Sequence, residues 1–195
     1  MKKVLFALAA LSFWTNIYAG GYDGWEKSCE AGNFDDCNLL ASLYFVDNPL
    51  DDIKKDPSKV EKYGTMACDN GKFKACFFVG LVYTEQGKYE QAKEMHKKSC
   101  DGNDDGGCLG LAEIYENGDP YTEIDIAKAI KYYKKGCDQL NSSNHCVHLA
   151  HVYIVNYNNL PQYRKYLNKA KNLAQKGCKK GNQEDCIILS RVKNL

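Results

Sequence analysis

The sequence lacks an excess of charge of either sign and lacks apolar runs long enough for a polytopic membrane protein. Its 26 basic and 25 acidic residues give a formal net charge of +1, so bulk charge provides no basic surface for nucleic acid. The N-terminal apolar stretch, Val4–Trp14, has only eleven residues. Hydrophobic residues make up 44% of the chain, which excludes an intrinsically disordered protein.

The N-terminus follows the pattern of a secretory signal peptide. Met1–Lys3 is basic, Val4–Trp14 is apolar, and Ala19 offers a small residue at the cleavage position. We therefore predict a signal peptide at residues 1–19 and an exported mature chain, either periplasmic or secreted, with no membrane span. An uncleaved N-terminal anchor is the alternative interpretation.

The ten cysteines occur as five near-identical pairs. Four pairs are separated by eight residues and one by nine, and the first cysteines of successive pairs lie 39, 32, 37 and 41 residues apart. A period in the high thirties is typical of an array of helical repeats.

A helical motif follows the second cysteine of each of the first four pairs. It reads C-x-x-[LV]-[GA]-x-x-Y, which places the cysteine, the aliphatic residue and the tyrosine on one helix face. The small residue lets a neighbouring helix approach closely. The fifth copy, Cys186–Lys193, replaces the tyrosine with lysine, as expected of a terminal helix. We predict that four tyrosines lie in the core: Tyr44, Tyr83, Tyr115 and Tyr153.

A second helical pattern precedes the first cysteine of each pair and is clearest in Asp125–Cys137. Asn70-Gly71, Asp101-Gly102 and Lys180-Gly181 lie between paired cysteines, where a helix must end and the chain must turn. Asn156–Pro161 is predicted to be a loop between helices. The sequence therefore predicts an all-α fold, an α/α superhelix over residues 20–195. It comprises about four full helix pairs, with half-repeats at both ends.

Each cysteine pair brackets a turn, so that one cysteine ends a helix and its mate starts the next. Two antiparallel helices joined by a short turn bring their facing ends within the Cα range of a disulfide. Closing such a loop stabilises the fold by roughly 2.5 kcal/mol per bridge, if the bridge acts through chain entropy. A zinc site is the alternative, but the sequence has no C-x-x-C ligand pair. We predict five sequential disulfides: Cys29–Cys37, Cys68–Cys76, Cys100–Cys108, Cys137–Cys146 and Cys178–Cys186.

The two helical patterns, joined by a glycine-containing turn, together resemble the Sel1-like repeat. Disulfide-paired copies on an exported chain resemble the Helicobacter cysteine-rich protein family, and the similarity covers residues 22–193. The resemblance implies an α/α superhelix and an envelope or secreted location. It also implies either interaction with host proteins or penicillin binding with weak β-lactamase activity.

Motifs for catalysis are nearly absent. The sequence has no S-D-N, K-T-G or G-x-S-x-G motif, and every cysteine is matched in the repeat scheme. Ser190–Lys193 reads S-x-x-K, but it lies at the C-terminal end and Ser190 occupies the small packing position of the fifth motif, so we interpret it as coincidence. We therefore expect a non-catalytic binding protein without cofactor, with weak β-lactam hydrolysis as the alternative.

Three histidines recur at three-residue intervals: His145, His148 and His151. We predict that they are solvent-facing helix positions and form no metal site, with a weak transition-metal site or a pH-sensitive patch as the alternative. Glu113 holds the same motif position as His151 one repeat earlier and is expected to approach it.

The concave side of the superhelix is the candidate binding surface. In stacked helix pairs the helices that follow the second cysteine line this side, and the residues directly after the cysteine and after the small position face the groove. We expect the groove to bind a protein or peptide segment, or a peptidoglycan-like ligand, and no nucleic acid. The candidate groove residues are Asn38, Ser42, Phe77, Leu81, Leu109, Glu113, Val147, His151, Ile187 and Arg191.

Overall fold

A computed structural model describes residues 21–47 and 54–193, which form ten α-helices and one π-helical turn. The predicted signal peptide lies outside the described residues. Within them, the only extended pairing is an isolated β-bridge between Asp119 and Thr122. The helices are α1 (Gly21–Glu30), α2 (Phe34–Phe45), α3 (Pro57–Asp69), α4 (Phe73–Glu85), α5 (Tyr89–Asp101), α6 (Asp105–Asn117), α7 (Ile126–Lys134), α8 (Ser143–Tyr157), α9 (Leu160–Lys179) and α10 (Gln183–Val192).

The helices stack as a superhelix with an inner and an outer row. Each helix packs against the next one along the chain. In addition, α2 packs on α4, α4 on α6, and α8 on α10, whereas successive odd-numbered helices make at most marginal contact. The even-numbered helices are therefore the closely spaced, inner row of the curve, and the odd-numbered helices are the splayed, outer row. This arrangement confirms the predicted all-α superhelix.

Six helix starts are fixed by side-chain caps that the sequence provides. Asp56 accepts hydrogen bonds from the backbone N–H groups of Ser58 and Lys59, and Pro57 follows it in the first turn of α3. Asp125 caps α7 by accepting from the N–H of Lys128. These contacts satisfy backbone donors that a helix start otherwise leaves unpaired.

Each of the five junctions between an outer helix and the following inner helix turns through one residue with positive φ. Glycine supplies it at three junctions and asparagine at the other two, because both residue types tolerate the left-handed region. At the third junction Asn103 takes this conformation, rather than Gly102 of the predicted Asp101-Gly102 turn. Gly102 instead lies under the ring of Phe73, where a Cβ atom would overlap the ring. The positive-φ residues are Gly32, Gly71, Asn103, Asn141 and Gly181.

All five predicted disulfides are present at these junctions, with Cα–Cα distances from 4.5 to 4.9 Å. No cysteine among the described residues is free. The first four disulfides are buried, and their sulfur atoms contribute to the core beside the leucines and alanines of the helical motif. The fifth, Cys178–Cys186, is only half-buried, because no further described helix packs over this junction.

The fourth junction differs from the others because its turn is one residue longer. The structure absorbs the extra residue in the π-helical turn Lys135–Gln139, which extends α7. The Nζ of Lys135 donates to the carbonyl oxygen of Cys100 at 2.6 Å and so ties this junction to the preceding one. Beside this turn, α6 and α8 make at most marginal contact, unlike the other successive inner helices.

The predicted loop at Asn156–Pro161 is much shorter in the structure. Helix α8 continues through Tyr157 and α9 begins at Leu160, so only two asparagines connect them. Asn158 takes a left-handed conformation that ends α8, and Asn159 caps α9 by accepting from the N–H of Gln162. Pro161 fits within the first turn of α9, where a helix requires no N–H donor.

The motif tyrosines lie in the core or at its edge. Tyr44 is buried as predicted, whereas Tyr83, Tyr115 and Tyr153 are half-buried. Two of these half-buried rings stack almost parallel on tyrosines of the next outer helix. The stacked pairs are Tyr115–Tyr132, with ring centroids 5.8 Å apart, and Tyr153–Tyr166, at 5.6 Å.

Candidate functional site

The predicted groove residues all lie on inner-row helices, and none of them is buried. Six are half-buried: Asn38, Ser42, Phe77, Leu81, Leu109 and Val147. Four are exposed: Glu113, His151, Ile187 and Arg191. The inner row thus presents a surface that mixes apolar side chains with a carboxylate, an imidazole and a guanidinium.

Phe77 packs between repeats as well as facing the inner row. Its ring lies 5.8 Å from the ring of His96 and 5.6 Å from that of Phe78. A Cβ atom at Gly106 of the next inner helix would lie 3.0 Å from this ring. Phe77 therefore helps to hold α4 against α6, and truncating it would disturb the fold as well as the surface.

The C-terminal helix departs from the pattern of the earlier inner helices. Ile188 and Val192 are buried against the rest of the array, while Leu189 is half-buried and Ser190 is exposed. The prediction that Ser190 occupies a packing position is therefore wrong. The reason is that, among the described residues, no further helix packs on the face of α10 that earlier inner helices bury against the next repeat.

A pair of glutamates occupies the middle of the inner row on α6. Glu116 accepts a hydrogen bond from the hydroxyl of Tyr133 at 2.6 Å. Glu113, one turn earlier, is exposed, and its carboxylate makes no hydrogen bond or ion pair with a described residue. Surrounding protein, and to a smaller extent the charge of Glu116, raises the pKa of Glu113. A carboxylate that is both accessible and closely surrounded is expected on a concave surface.

One histidine of α8, His148, lies close to this glutamate pair. The half-buried ring of His148 stacks on Tyr133 with a centroid distance of 5.3 Å and an interplanar angle of 10°. Burial lowers the pKa of His148, so its ring is neutral at neutral pH. His151 is exposed, as predicted, and it forms no hydrogen bond or ion pair with Glu113.

The solvent-facing prediction is wrong for His145, which is only 1% exposed, and His96 is also buried, at 2%. The ring of His145 lies against the backbone of Gly136, and that of His96 fits between Gly80 and Gly110. Burial lowers the pKa of each imidazole to about 4, so both are neutral spacers between repeats. These two histidines pack the interior and take no part in the surface.

Among the described residues, Ser190 is hydrogen-bonded within its own helix and no metal-binding cluster is present. No group of three or more histidine, cysteine, aspartate or glutamate side chains in residues 21–47 and 54–193 is placed to bind a metal ion. The hydroxyl of Ser190 donates to the carbonyl oxygen of Ile187 at 2.7 Å, within its own helix. The S-x-x-K match at Ser190–Lys193 is therefore a surface segment of the terminal helix.

Two residues that pack beside the inner-row surface escaped the sequence prediction. Glu116 follows the motif tyrosine, a position with no expected role, and Tyr133 belongs to the outer-helix pattern. The only sequence feature that pointed to this contact was the pair of adjacent tyrosines, Tyr132-Tyr133. Adjacent side chains on a helix point in different directions, so the two rings must contact different neighbours. Their hydrogen bond joins residues 17 positions apart, which periodicity does not reveal.

Comparison with known protein families matches the Sel1 repeat at three successive segments, residues 35–72, 74–104 and 107–139. These segments cover α2 to the π-helical turn, each containing an inner helix and the following outer helix. No protein among the curated sequences matches the chain significantly.

Several solved structures share the fold. A protective antigen of uropathogenic Escherichia coli strains that displays an SLR fold is 20% identical, with a TM-score of 0.66 over 88% of this chain and 39% of the antigen. A Sel1 repeat protein from Oxalobacter formigenes is 15% identical, with a TM-score of 0.64 over 95% of this chain and 85% of that protein. A sel1 repeat protein from Klebsiella pneumoniae is 16% identical, with a TM-score of 0.53 over 88% of this chain and 99% of that one. The present chain therefore spans less than half of the E. coli antigen. At these identities the similarity establishes the fold alone.

Proposed function

This chain belongs to the Sel1 repeat family, whose repeats are protein-interaction modules, and we propose that it is an exported binding protein that holds its ligand along the inner row. The ligand is a protein or peptide segment, or a peptidoglycan-like chain. The cysteine spacing supports placing it within the cysteine-rich group of Helicobacter Sel1-like proteins.

The cysteine chemistry supports export. Five disulfides form, and the described residues contain no free cysteine. Disulfides of this density persist in oxidising compartments and are rare where thiols are kept reduced. No helix among the described residues is long and apolar enough to cross a membrane.

The single observation that favours the inner row as the binding surface is its accessible, mixed composition. Half-buried apolar side chains such as Leu109 and Val147 lie beside exposed polar ones such as Glu113 and His151. Recognition surfaces combine apolar contact area with a few oriented polar groups, and solenoids use their concave face for extended ligands.

Alanine variants of this surface test the proposal. A partner is captured from envelope extract with the oxidised protein, and its affinity is then measured for Leu109→Ala, Val147→Ala and His151→Ala. We expect at least one of them to weaken binding tenfold or more, which corresponds to about 1.4 kcal/mol. The control is Gln175→Ala on the exposed surface of α9, an outer helix, and it is expected to bind normally.

Two outcomes contradict the proposal. Unchanged affinity in all three inner-row variants, with a loss in the α9 variant, would place the binding surface elsewhere. Nitrocefin hydrolysis that follows the protein through purification and disappears in His151→Ala would show that the inner row is catalytic.

A further inference from the structure

The stretch from residue 139 to residue 183 contains no acidic side chain, although the chain as a whole has 25 of them. It spans α8, α9 and the turns that flank them. Charge is therefore strongly segregated in a chain whose formal net charge is only +1. Seven basic residues of this stretch lie on α9 or directly after it: Arg164, Lys165, Lys169, Lys171, Lys176, Lys179 and Lys180.

The lysines of two earlier outer helices are paired with carboxylates, whereas most of these seven cations are not. Both lysines of α3, Lys59 and Lys62, form ion pairs with glutamates of α1, at 2.8 and 2.6 Å. All three lysines of α5 are also paired: Lys93–Glu90, Lys97–Asp101 and Lys98–Asp69. Of the seven cations on or after α9, Lys169 alone forms an ion pair with a described residue, Asp138 at 2.6 Å. The positive charge of α9 is thus largely uncompensated within the described chain.

The unpaired cations form an extended basic face. Five of them are exposed: Arg164, Lys165, Lys176, Lys179 and Lys180. The other exposed positions between Arg164 and Lys179 carry neutral amide side chains: Asn168, Asn172 and Gln175. Because α9 has 20 residues, it is about 30 Å long. A basic face of this length is suited to an extended anionic surface rather than to a single anion.

Exposed apolar side chains lie at the start of the basic face. Tyr157, the last residue of α8, is 53% exposed, and Leu160, the first residue of α9, is 42% exposed. Leu160 and Arg164 are one helical turn apart, so they share a face of α9. Apolar side chains beside lysine and arginine are typical of segments that lie in the headgroup region of a bilayer. Binding to a soluble polyanion requires no such apolar corner.

We propose that the basic face of α9, together with the apolar corner formed by Tyr157 and Leu160, docks the protein on a bilayer that contains anionic phospholipid. The lysine and arginine side chains contact the phosphate headgroups, while the apolar corner enters the boundary between headgroups and acyl chains. Because α9 belongs to the outer row, docking through this face leaves the inner row open to its own ligand.

Flotation with lipid vesicles tests this surface. The oxidised protein is mixed with phosphatidylcholine vesicles that either contain or lack phosphatidylglycerol. We expect at least tenfold higher affinity for the vesicles with phosphatidylglycerol at low ionic strength, and loss of most of this difference in about 1 M salt. The triple variant Lys165→Gln, Lys176→Gln, Lys179→Gln is expected to lower that affinity at least tenfold. It is expected to fold normally, since all three side chains are exposed and form no ion pair with a described residue.

Two further variants separate the contributions of net charge and apolar contact. Lys93→Gln, Lys97→Gln, Lys98→Gln is the matched control, because it removes the same net charge from another outer helix, α5, and it is expected to keep the affinity for anionic vesicles. The corner variant Tyr157→Ser, Leu160→Ser is expected to weaken vesicle binding about tenfold. Any binding to heparin, a soluble polyanion, is expected to be unchanged in the corner variant.

Three results would overturn the proposal. The first is equal affinity for the two kinds of vesicle. The second is an equal loss in the α9 and α5 triple variants, which would show that net charge alone determines binding. The third is full vesicle affinity in the corner variant together with complete competition by heparin or DNA, which would replace the bilayer with a soluble polyanion. The inner-row variants Leu109→Ala and Val147→Ala are expected to bind vesicles normally, so this proposal and the proposed inner-row binding fail separately.

Discussion

The imidazole of His145 lies directly against the backbone of Gly136, and these residues immediately precede the two cysteines of the fourth disulfide. The same pair of positions meets at other junctions. Gly107 lies against Ser99, and Gly177 lies against Asp185, in each case with too little room for a Cβ atom on the glycine. At these three junctions the disulfide holds the two preceding residues together, and a glycine on one side makes room for the other side chain.

A methyl group at Gly136 is expected to destabilise the protein. In Gly136→Ala the new Cβ overlaps the His145 ring, which is buried and has no open space to enter, so we expect a loss of about 1–3 kcal/mol of unfolding free energy. Denaturant unfolding of the oxidised protein measures this loss.

Gly24→Ala is the matched control for this prediction. Gly24 lies in α1, and no heavy atom of a packed neighbour comes within 4 Å of the position that an alanine Cβ would take. Alanine there is expected to be neutral or to stabilise the helix by up to about 1 kcal/mol. Equal stability of Gly136→Ala and wild type would show that the junction is less tightly packed than described.

Stability is expected to fall as the pH drops from about 6.5 towards 4. The unfolded chain protonates its histidines below their ordinary pKa of 6.5, whereas burial holds the pKa of His96 and His145 at about 4 in the folded protein. The folded state therefore binds fewer protons than the unfolded chain in this pH window. Each of the two histidines is expected to lower the free energy of unfolding by about 2–3 kcal/mol at pH 4.5. For His145, the charge of Asp105 partly opposes the shift, while His148 adds to it.

Imidazole proton resonances, followed by NMR as a function of pH, check this prediction separately from the titration of carboxylates. We expect two of the four histidines to titrate near pH 4 until unfolding intervenes. Titration of all four near their ordinary pKa, in a folded protein, would mean that His96 and His145 are accessible to water.

The fifth disulfide is expected to be the first to be reduced. Cys178 and Cys186 are half-buried, whereas both cysteines of the first four bridges are at most 1% exposed, and thiol–disulfide exchange requires access to sulfur. Limited treatment with a phosphine reductant, alkylation and peptide mass spectrometry measure the order. Labelling of Cys100 and Cys108 ahead of Cys178 would contradict the burial described for the third junction.

The fold was predictable because the same structural unit, a turn between two helices bracketed by paired cysteines, recurs five times along the chain. The paired cysteines predicted where the junctions lie. The motif that includes Leu40 and Ala41 predicted which face of each inner helix is buried. The fifth motif gave a wrong prediction for Ser190, which is exposed. The residues of this motif are buried only where the helix of another repeat packs against them. The π-helical turn at Lys135–Gln139 was visible only as one extra residue between cysteines.

The candidate site was less predictable because it depends on contacts between different repeats. The buried position of His96 follows from two glycines on separate helices, Gly80 and Gly110, which together leave space for a ring. The hydrogen bond from Tyr133 to Glu116 joins an outer helix to an inner one. Single-helix periodicity identifies which residues share a face but not which side chains meet across faces.

Site-specific photo-crosslinking tests the central claim, that the inner row binds the ligand, most directly. A benzophenone amino acid replaces either His151, exposed on the inner helix α8, or Gln175, exposed on the outer helix α9, and each variant is irradiated with the captured partner. The account predicts a covalent adduct from position 151 and none from position 175. An adduct from position 175 alone would contradict it.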